Sequence, residues 1–296
     1  MTIKKERISY LLYSVYPGFM VGSAMIISSG YYLGYNLSLI TTLTLVLALF
    51  SIMLLERLIP FEKEWLNNKQ DIATDALHYL VNYLIKQMAL ISYAATVKHI
   101  SVLSFLWPTN QPFIMQVLLT LIIMDFFLYW VHRLIHKYDF LWYFHTIHHG
   151  SQHLYWLNGE KRHPIHQIME GLPGITLLAL LGTPQIVLIA ALTILSINML
   201  LQHGNVNYKA GLLRYIFAVG ENHRWHHEKN KVKNHANYGA VFIFWDIFFG
   251  TYYYDEFDSR VLEVGIKSEQ ELPKTYLKQF YYPFKQIGDK EVGSNR

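Results

Sequence analysis

Apolar residues come in long blocks along this chain. From about Tyr10 to Tyr32, and again from Leu37 to Leu55, almost no charge interrupts them. At ~1.5 Å of rise per residue, each block as a helix can cross the ~30 Å hydrocarbon core of a bilayer. A third block, Ala76 to Trp107, is weaker, because it carries His78, Lys86 and Lys98 together with Asn82 and Gln87. A fourth, Pro112 to Val131, is apolar apart from Asp125. The fifth, Leu172 to Leu201, is broken by Gly182-Thr183-Pro184. Roughly ten residues precede that break, only ~15 Å of helix, so the pattern predicts a short or re-entrant helical hairpin there. Such a hairpin returns the chain to the side it left.

The pattern predicts an all-α protein, an integral membrane helical bundle. Composition agrees, with 52% hydrophobic residues and a mean hydropathy of +0.18. Lys4, Lys5 and Arg7 precede the first block, and Arg57, Lys63 and Lys69 follow the second. Two crossings put both groups on one side, and flanking positive charge places that side in the cytoplasm. Two further crossings bring the chain back to it at His132. The first block is too long for the apolar region of a cleaved signal peptide and is read as a retained anchor. Three regions follow: 1–111 with the N-terminal spans, 112–254 with the chemistry, and a charged tail at 255–296 that packs on the cytoplasmic face or is partly disordered at Asp289–Arg296. The net charge of +4 suits juxtamembrane basic residues, and no basic tract or reader motif points to nucleic acid. With no cysteine in the chain, disulfides and thiolate clusters are excluded.

The candidate chemistry lies in histidine. Thirteen of the 15 histidines fall between His132 and His235. His132 and His136 are i and i+4. His145, His148 and His149 repeat the pattern of His223, His226 and His227, His-x-x-His-His, whose members share one face of a helix. Imidazole is the commonest protein metal ligand, and eight converging imidazoles exceed what one ion needs, so the reading is a histidine-rich site for two metals, a cap facing the cytoplasm. His203 ends an apolar helix before Gly204 and is a further candidate ligand. So is His163, which precedes Pro164. His153 and His166 read as polar lining or surface, and His78 and His99 as ordinary core or surface residues. Asp125, inside an apolar block, needs a partner: either a ligand imidazole N–H or a simple interhelical hydrogen bond. Asp246 is expected to pair with a ligand histidine or a neighbouring cation. The segment around His223 is expected to be an amphipathic interfacial helix.

In this order and spacing the three clusters resemble the fatty acid hydroxylase/sterol desaturase superfamily, the membrane-bound non-haem di-iron oxygenases. The resemblance extends to the Tyr129–Arg133 lead-in, the His163-Pro164 pair, and the ending Asn237-Tyr-Gly239, Trp245-Asp246 and Phe249-Gly250-Thr251, covering roughly Asp125 to Tyr253. It implies two iron ions held by His132, His136, His145, His148, His149, His223, His226 and His227, joined by His203 and His163. It implies O₂ as co-substrate, electrons from a donor protein or reduced pterin, and a lipid or other long apolar substrate hydroxylated at a C–H bond. Desaturation, or cleavage of a glyceryl ether, is the alternative outcome of the same chemistry. The chain departs from the family pattern in Gly150-Ser151 after the second cluster and in Tyr155 and Lys161 where Asn and Arg are common, and from one subgroup, which carries Glu after the first cluster, in Lys137.

Other classes fit less well. A haem electron carrier would place isolated histidines in facing spans. A metal transporter would line its spans with polar or acidic ligands, and only Asp125 does so. A catalytic zinc needs three protein ligands and an open position, far fewer than are present.

Overall fold

The computed structural model describes residues 2–67, 70–229, 235–255, 262–266 and 272–294, the side chains of 2–9 and 290–294 excepted. Lys69, one of the basic residues named above, lies outside them, as do residues 295–296. Ten α-helices form the described chain: α1 (Thr2–Tyr32), α2 (Leu37–Leu58), α3 (Ile72–Ile100), α4 (Phe113–Lys137), α5 (Asp139–His149), α6 (Pro164–Leu180), α7 (Gln185–His203), α8 (Gly220–His226), α9 (Phe244–Phe248) and α10 (Tyr276–Ser294). Extended pairing among the described residues is limited to isolated bridges.

Four helices, α1 from Tyr10 onward, α2, α4 and α7, are long and apolar enough to cross a membrane. On α2, Leu37, Thr41, Thr44, Ala48 and Ile52 face inward at helical spacing, while Leu39, Leu43, Leu47, Phe50 and Leu54 are exposed. An apolar face exposed over this length is a surface that meets lipid or another protein. α3 is more polar overall but has the same two faces: Leu77, Leu80, Leu84, Met88 and Ile91 point out, and Asp75, His78, Asn82 and Tyr93 point in. The core lies among α1, α2, α4 and α7, with Ile197, Leu201, Ile52, Tyr16 and Val206 fully buried.

The long helices alternate in direction, so the bundle has two distinct ends. At one, the Lys209 N–H donates to Leu12 O near the start of α1, and Asn207 N–H donates to Ile59 O just after α2. That end also carries the end of α4, all of α5 and the end of α7. At the other, the rings of Tyr31 and Phe113 stack at 4.1 Å and Leu103 N–H donates to Leu180 O. The turn of the α6–α7 hairpin therefore sits level with the α3–α4 connection. The hairpin is not short: α6 starts at Pro164 and has 17 residues. Its first turns are polar, with His166, Gln167 and Glu170, which is why the apolar block seemed to begin only at Leu172. Gly182, at φ +65°, makes the turn, and a Cβ there would meet Ser104 Cβ at 2.9 Å.

Candidate metal centre

Each histidine reaches the centre by a simple local rule. The buried face of α4 runs Val117, Leu121, Met124, Leu128, His132, Ile135, His136, so the stripe that packs the helix also delivers two imidazoles inward. Tyr138 ends α4 and starts α5, turning the second cluster back beside the first. α7 ends at His203 against Gly159, where a Cβ would stand 3.2 Å from His203 Nδ1. Helix α8 is short and buried from Gly220 to His226, not interfacial as expected. Buried Arg224 ties it down by donating to Gly204 O at 3.2 Å and Val206 O at 2.9 Å.

Nine imidazoles collect into two buried groups. His132, His136, His145, His149 and His226 form one, and His148, His203, His223 and His227 the other; within each group the candidate ligand atoms all lie within 4.8 Å of one another. The groups abut, with the rings of His149 and His227 stacked at 4.5 Å. Each His-x-x-His-His cluster is divided between them. Members i and i+4, ~40° apart around the helix, go to one group, and i+3, ~60° to the other side of i, goes to the other.

The donor chemistry fits metal. His132 Nδ1 faces Tyr238 O at 3.0 Å, His226 Nδ1 faces Ala236 O at 2.7 Å, and His203 Nδ1 faces Met199 O at 3.0 Å. A carbonyl only accepts, so in each ring the proton sits on Nδ1 and the Nε2 lone pair points to the centre. His203 Nε2 then faces His223 Nε2 at 2.9 Å and His148 Nε2 at 3.3 Å, and His223 Nε2 faces His227 Nε2 at 3.0 Å. One shared proton satisfies one such pair; a cation satisfies all of them. Burial first, and neighbouring imidazoles second, push His145, His149, His223 and His227 well below the usual histidine range, so these rings are neutral donors.

The fatty acid hydroxylase family matches residues 117–251, which include every one of these histidines. The chain is 34% identical over 249 residues to the ornithine lipid hydroxylase OlsE of Rhizobium tropici, covering 81% of this chain and 74% of that protein. The chain belongs to the fatty acid hydroxylase family. It is an oxidoreductase of the hydroxylase and monooxygenase type. Human alkylglycerol monooxygenase is 34% identical over 131 residues, 43% of this chain but only 28% of that protein. Rat methylsterol monooxygenase 1 is 29% identical over 150 residues, half of each chain. No solved structure matches.

In this family member the two aspartates flagged by sequence bond neither to a ligand histidine nor to a cation. Asp125 Oδ1 accepts from Ala240 N at 3.0 Å and Val241 N at 2.7 Å, and Oδ2 from Phe242 N at 2.9 Å. Asp246 accepts from Tyr238 N at 2.8 Å, Gly239 N at 2.9 Å and Thr251 Oγ1 at 2.7 Å. Burial raises the Asp246 carboxyl to about 6, against the lowering effect of those donors. Between them the carboxylates clamp the loop whose Ala236 and Tyr238 carbonyls orient His226 and His132. Asn237, at φ +59°, bridges Asn222 O and Tyr253 O with its amide. Gly239 is required, since a Cβ there would lie 2.3 Å from Phe242 O. The Asn-Tyr-Gly and Trp-Asp segments of the family signature are thus one clamp.

The structure does not bring His163 to either group. It caps α6, accepting from Ile165 N at 3.1 Å, and its other nitrogen donates to Phe280 O at 3.0 Å, so both ring nitrogens are engaged. His166, read as lining or surface, is fully buried, its ring 4.5 Å from His145 and its Nε2 3.1 Å from Glu170, which also pairs with Arg162 at 2.7 Å. Buried His153 stacks on Tyr155 at 4.8 Å. Sequence reading passed over Trp142, whose ring lies 4.9 Å from His136 and 5.2 Å from His149. Trp142 sits in an aromatic-rich run where no single ring stands out. Tyr238, noted only as part of the Asn-Tyr-Gly ending, lies 5.2 Å from His136.

Proposed function

We propose that the protein hydroxylates a C–H bond of a membrane lipid, using O₂, external electrons and two iron ions, one in each histidine group. The sorting of nine buried imidazoles into two abutting groups carries this reading. Iron bound there supplies the oxidising power. The chain supplies neutral imidazoles aimed by backbone carbonyls, and a buried setting that excludes water. The lipid substrate class is supported by the ornithine lipid, alkylglycerol and methylsterol named for the relatives, and by a site at the end of a bundle with lipid-suited faces. A donor protein or reduced pterin provides the electrons. The metal end faces the cytoplasm in this reading, since Arg57 and Lys63 lie at the end where residues 59–61 pair with 205–207.

Metal analysis of the full chain purified in detergent tests the proposal, followed by incubation with bacterial lipid extract, O₂ and a reductant. About two irons per chain are expected, with His148→Ala and His226→Ala each losing metal, and a product that gains one oxygen atom. A product lacking two hydrogens would make the enzyme a desaturase. Zinc or haem in place of iron after anaerobic reconstitution would overturn the reading.

A further inference from the structure

Helix α10 lies outside the family match, yet it is built to meet a surface. By the ~100° step of an α-helix, exposed Leu277, Tyr281 and Phe284 fall in an arc of roughly 60°. Lys278 and Lys285 share a strip beside that arc, and Thr275, Gln286 and Asp289 lie beyond the lysines. The remaining face is the docked one. Gln279 is buried and meets His78 Nε2 at 2.8 Å, Phe280 stacks on His163 at 5.0 Å, and Phe284 reaches inward to Phe144 at 5.6 Å. Between Pro273 and Gly288 there are three lysines and no acid. A groove of about 540 Å³ follows the lysine strip, from Leu277 and Tyr281 across Lys278 and Lys285 to Tyr282 and Gln286.

The level of α10 follows from its neighbours. Thr74 donates to Lys274 O at 2.7 Å and the ring of His78 lies 4.6 Å from Tyr276, so α10 packs against the first two turns of α3. In those same turns the lipid-suited stripe of α3 begins, with Ile72, Leu77 and Leu80 exposed. Exposed Phe140 continues the apolar surface on α5, its ring 5.8 Å from Phe144. An apolar stripe at the height where a bilayer starts, edged by lysines, is what a helix lying in the headgroup region requires.

We propose that α10 is an interfacial helix, with Leu277, Tyr281 and Phe284 in the headgroup–acyl boundary and Lys278 and Lys285 on anionic lipid headgroups. It holds the bilayer surface against α5, the helix that bears the second histidine cluster. The proposal rests on the membrane reading above. Were two copies of α10 to pack antiparallel on this face, their lysine strips would face one another, whereas an anionic bilayer surface attracts them.

The test uses the absence of cysteine. A spin label is placed on full-length Tyr281→Cys in bilayers containing anionic lipid, with Leu80→Cys as the lipid-facing reference and Asp289→Cys as the water-facing one. The label at position 281 should collide with O₂ more than with a water-soluble nickel chelate, as at position 80. Lys278→Gln with Lys285→Gln should shift it toward water by about thirtyfold in docking equilibrium, at about 1 kcal/mol per lysine near an anionic surface. Water-like accessibility at 281 would overturn the proposal, and so would mutual broadening of the labels, which would put a second copy on this face. Iron content of the same samples reports separately on the metal centre.

Discussion

Asp125 and Asp246 form no ion pair among the described residues; their oxygens go to backbone amides, and through those amides to the metal centre. Asp246→Asn keeps the shape but turns an amide donor toward the Tyr238 or Gly239 N–H. The loop should loosen and the His132 ring lose its carbonyl. Metal affinity is then expected to fall by about 10- to 100-fold, with the fold retained, measured by chelator competition and circular dichroism. Asp125→Ala leaves three N–H groups without their acceptor, each costing about 1–3 kcal/mol when buried, so a lower midpoint of thermal unfolding in detergent is expected. The importance of Asp125 was legible, because a carboxylate in an apolar block must have a partner. The partner was not: it lies 115 residues away in an irregular segment that no periodicity marks. His163 misled for a related reason, since a histidine before proline serves equally as a ligand or as a helix cap.

Among the elements, α3 is joined to the histidine-bearing part of the chain by a buried charge. Asp75, fully buried, pairs with Lys161 Nζ at 2.7 Å and accepts from the Tyr155 hydroxyl at 2.9 Å. Tyr155 and Lys161, read in the sequence as two of the departures from the family pattern, meet on one carboxylate. Lys161→Met should therefore destabilise by about 3–5 kcal/mol, because it leaves the buried Asp75 carboxyl without its cation. Adding Asp75→Leu should recover most of that loss, and a double-mutant cycle of unfolding free energies in detergent measures it. Equal, additive losses would show that the pair does not act as a unit. Helix identity was legible from apolar blocks and helical spacing. The start of α6 and the burial of α8 were not, since polar side chains that face a buried polar centre look, in sequence, like side chains that face water.

Over the whole molecule, the alternation of long helices puts every candidate ligand at one end, and the paired segments 59–61 and 205–207 put Arg57 and Lys63 there too. With no native cysteine, single Lys63→Cys and Thr109→Cys variants in intact cells test the orientation. Lys63→Cys should be protected from a membrane-impermeant reagent and Thr109→Cys labelled; the reverse pattern would place the metal centre outside. The class of fold and the order of clusters were legible because both are written in local spacing. How the clusters divide was not, because it depends on which helices come to lie opposite one another. That division has a consequence for how the two proposed metal positions are held together. His148 and His149 are adjacent in the chain, as are His226 and His227, and in each pair one residue serves each group. The two groups are thereby joined twice through neighbouring residues, each time across one planar peptide unit. Loops elsewhere can lengthen or drift without parting the two groups, so under the two-metal proposal the surroundings of the site are free to change while its two halves stay together.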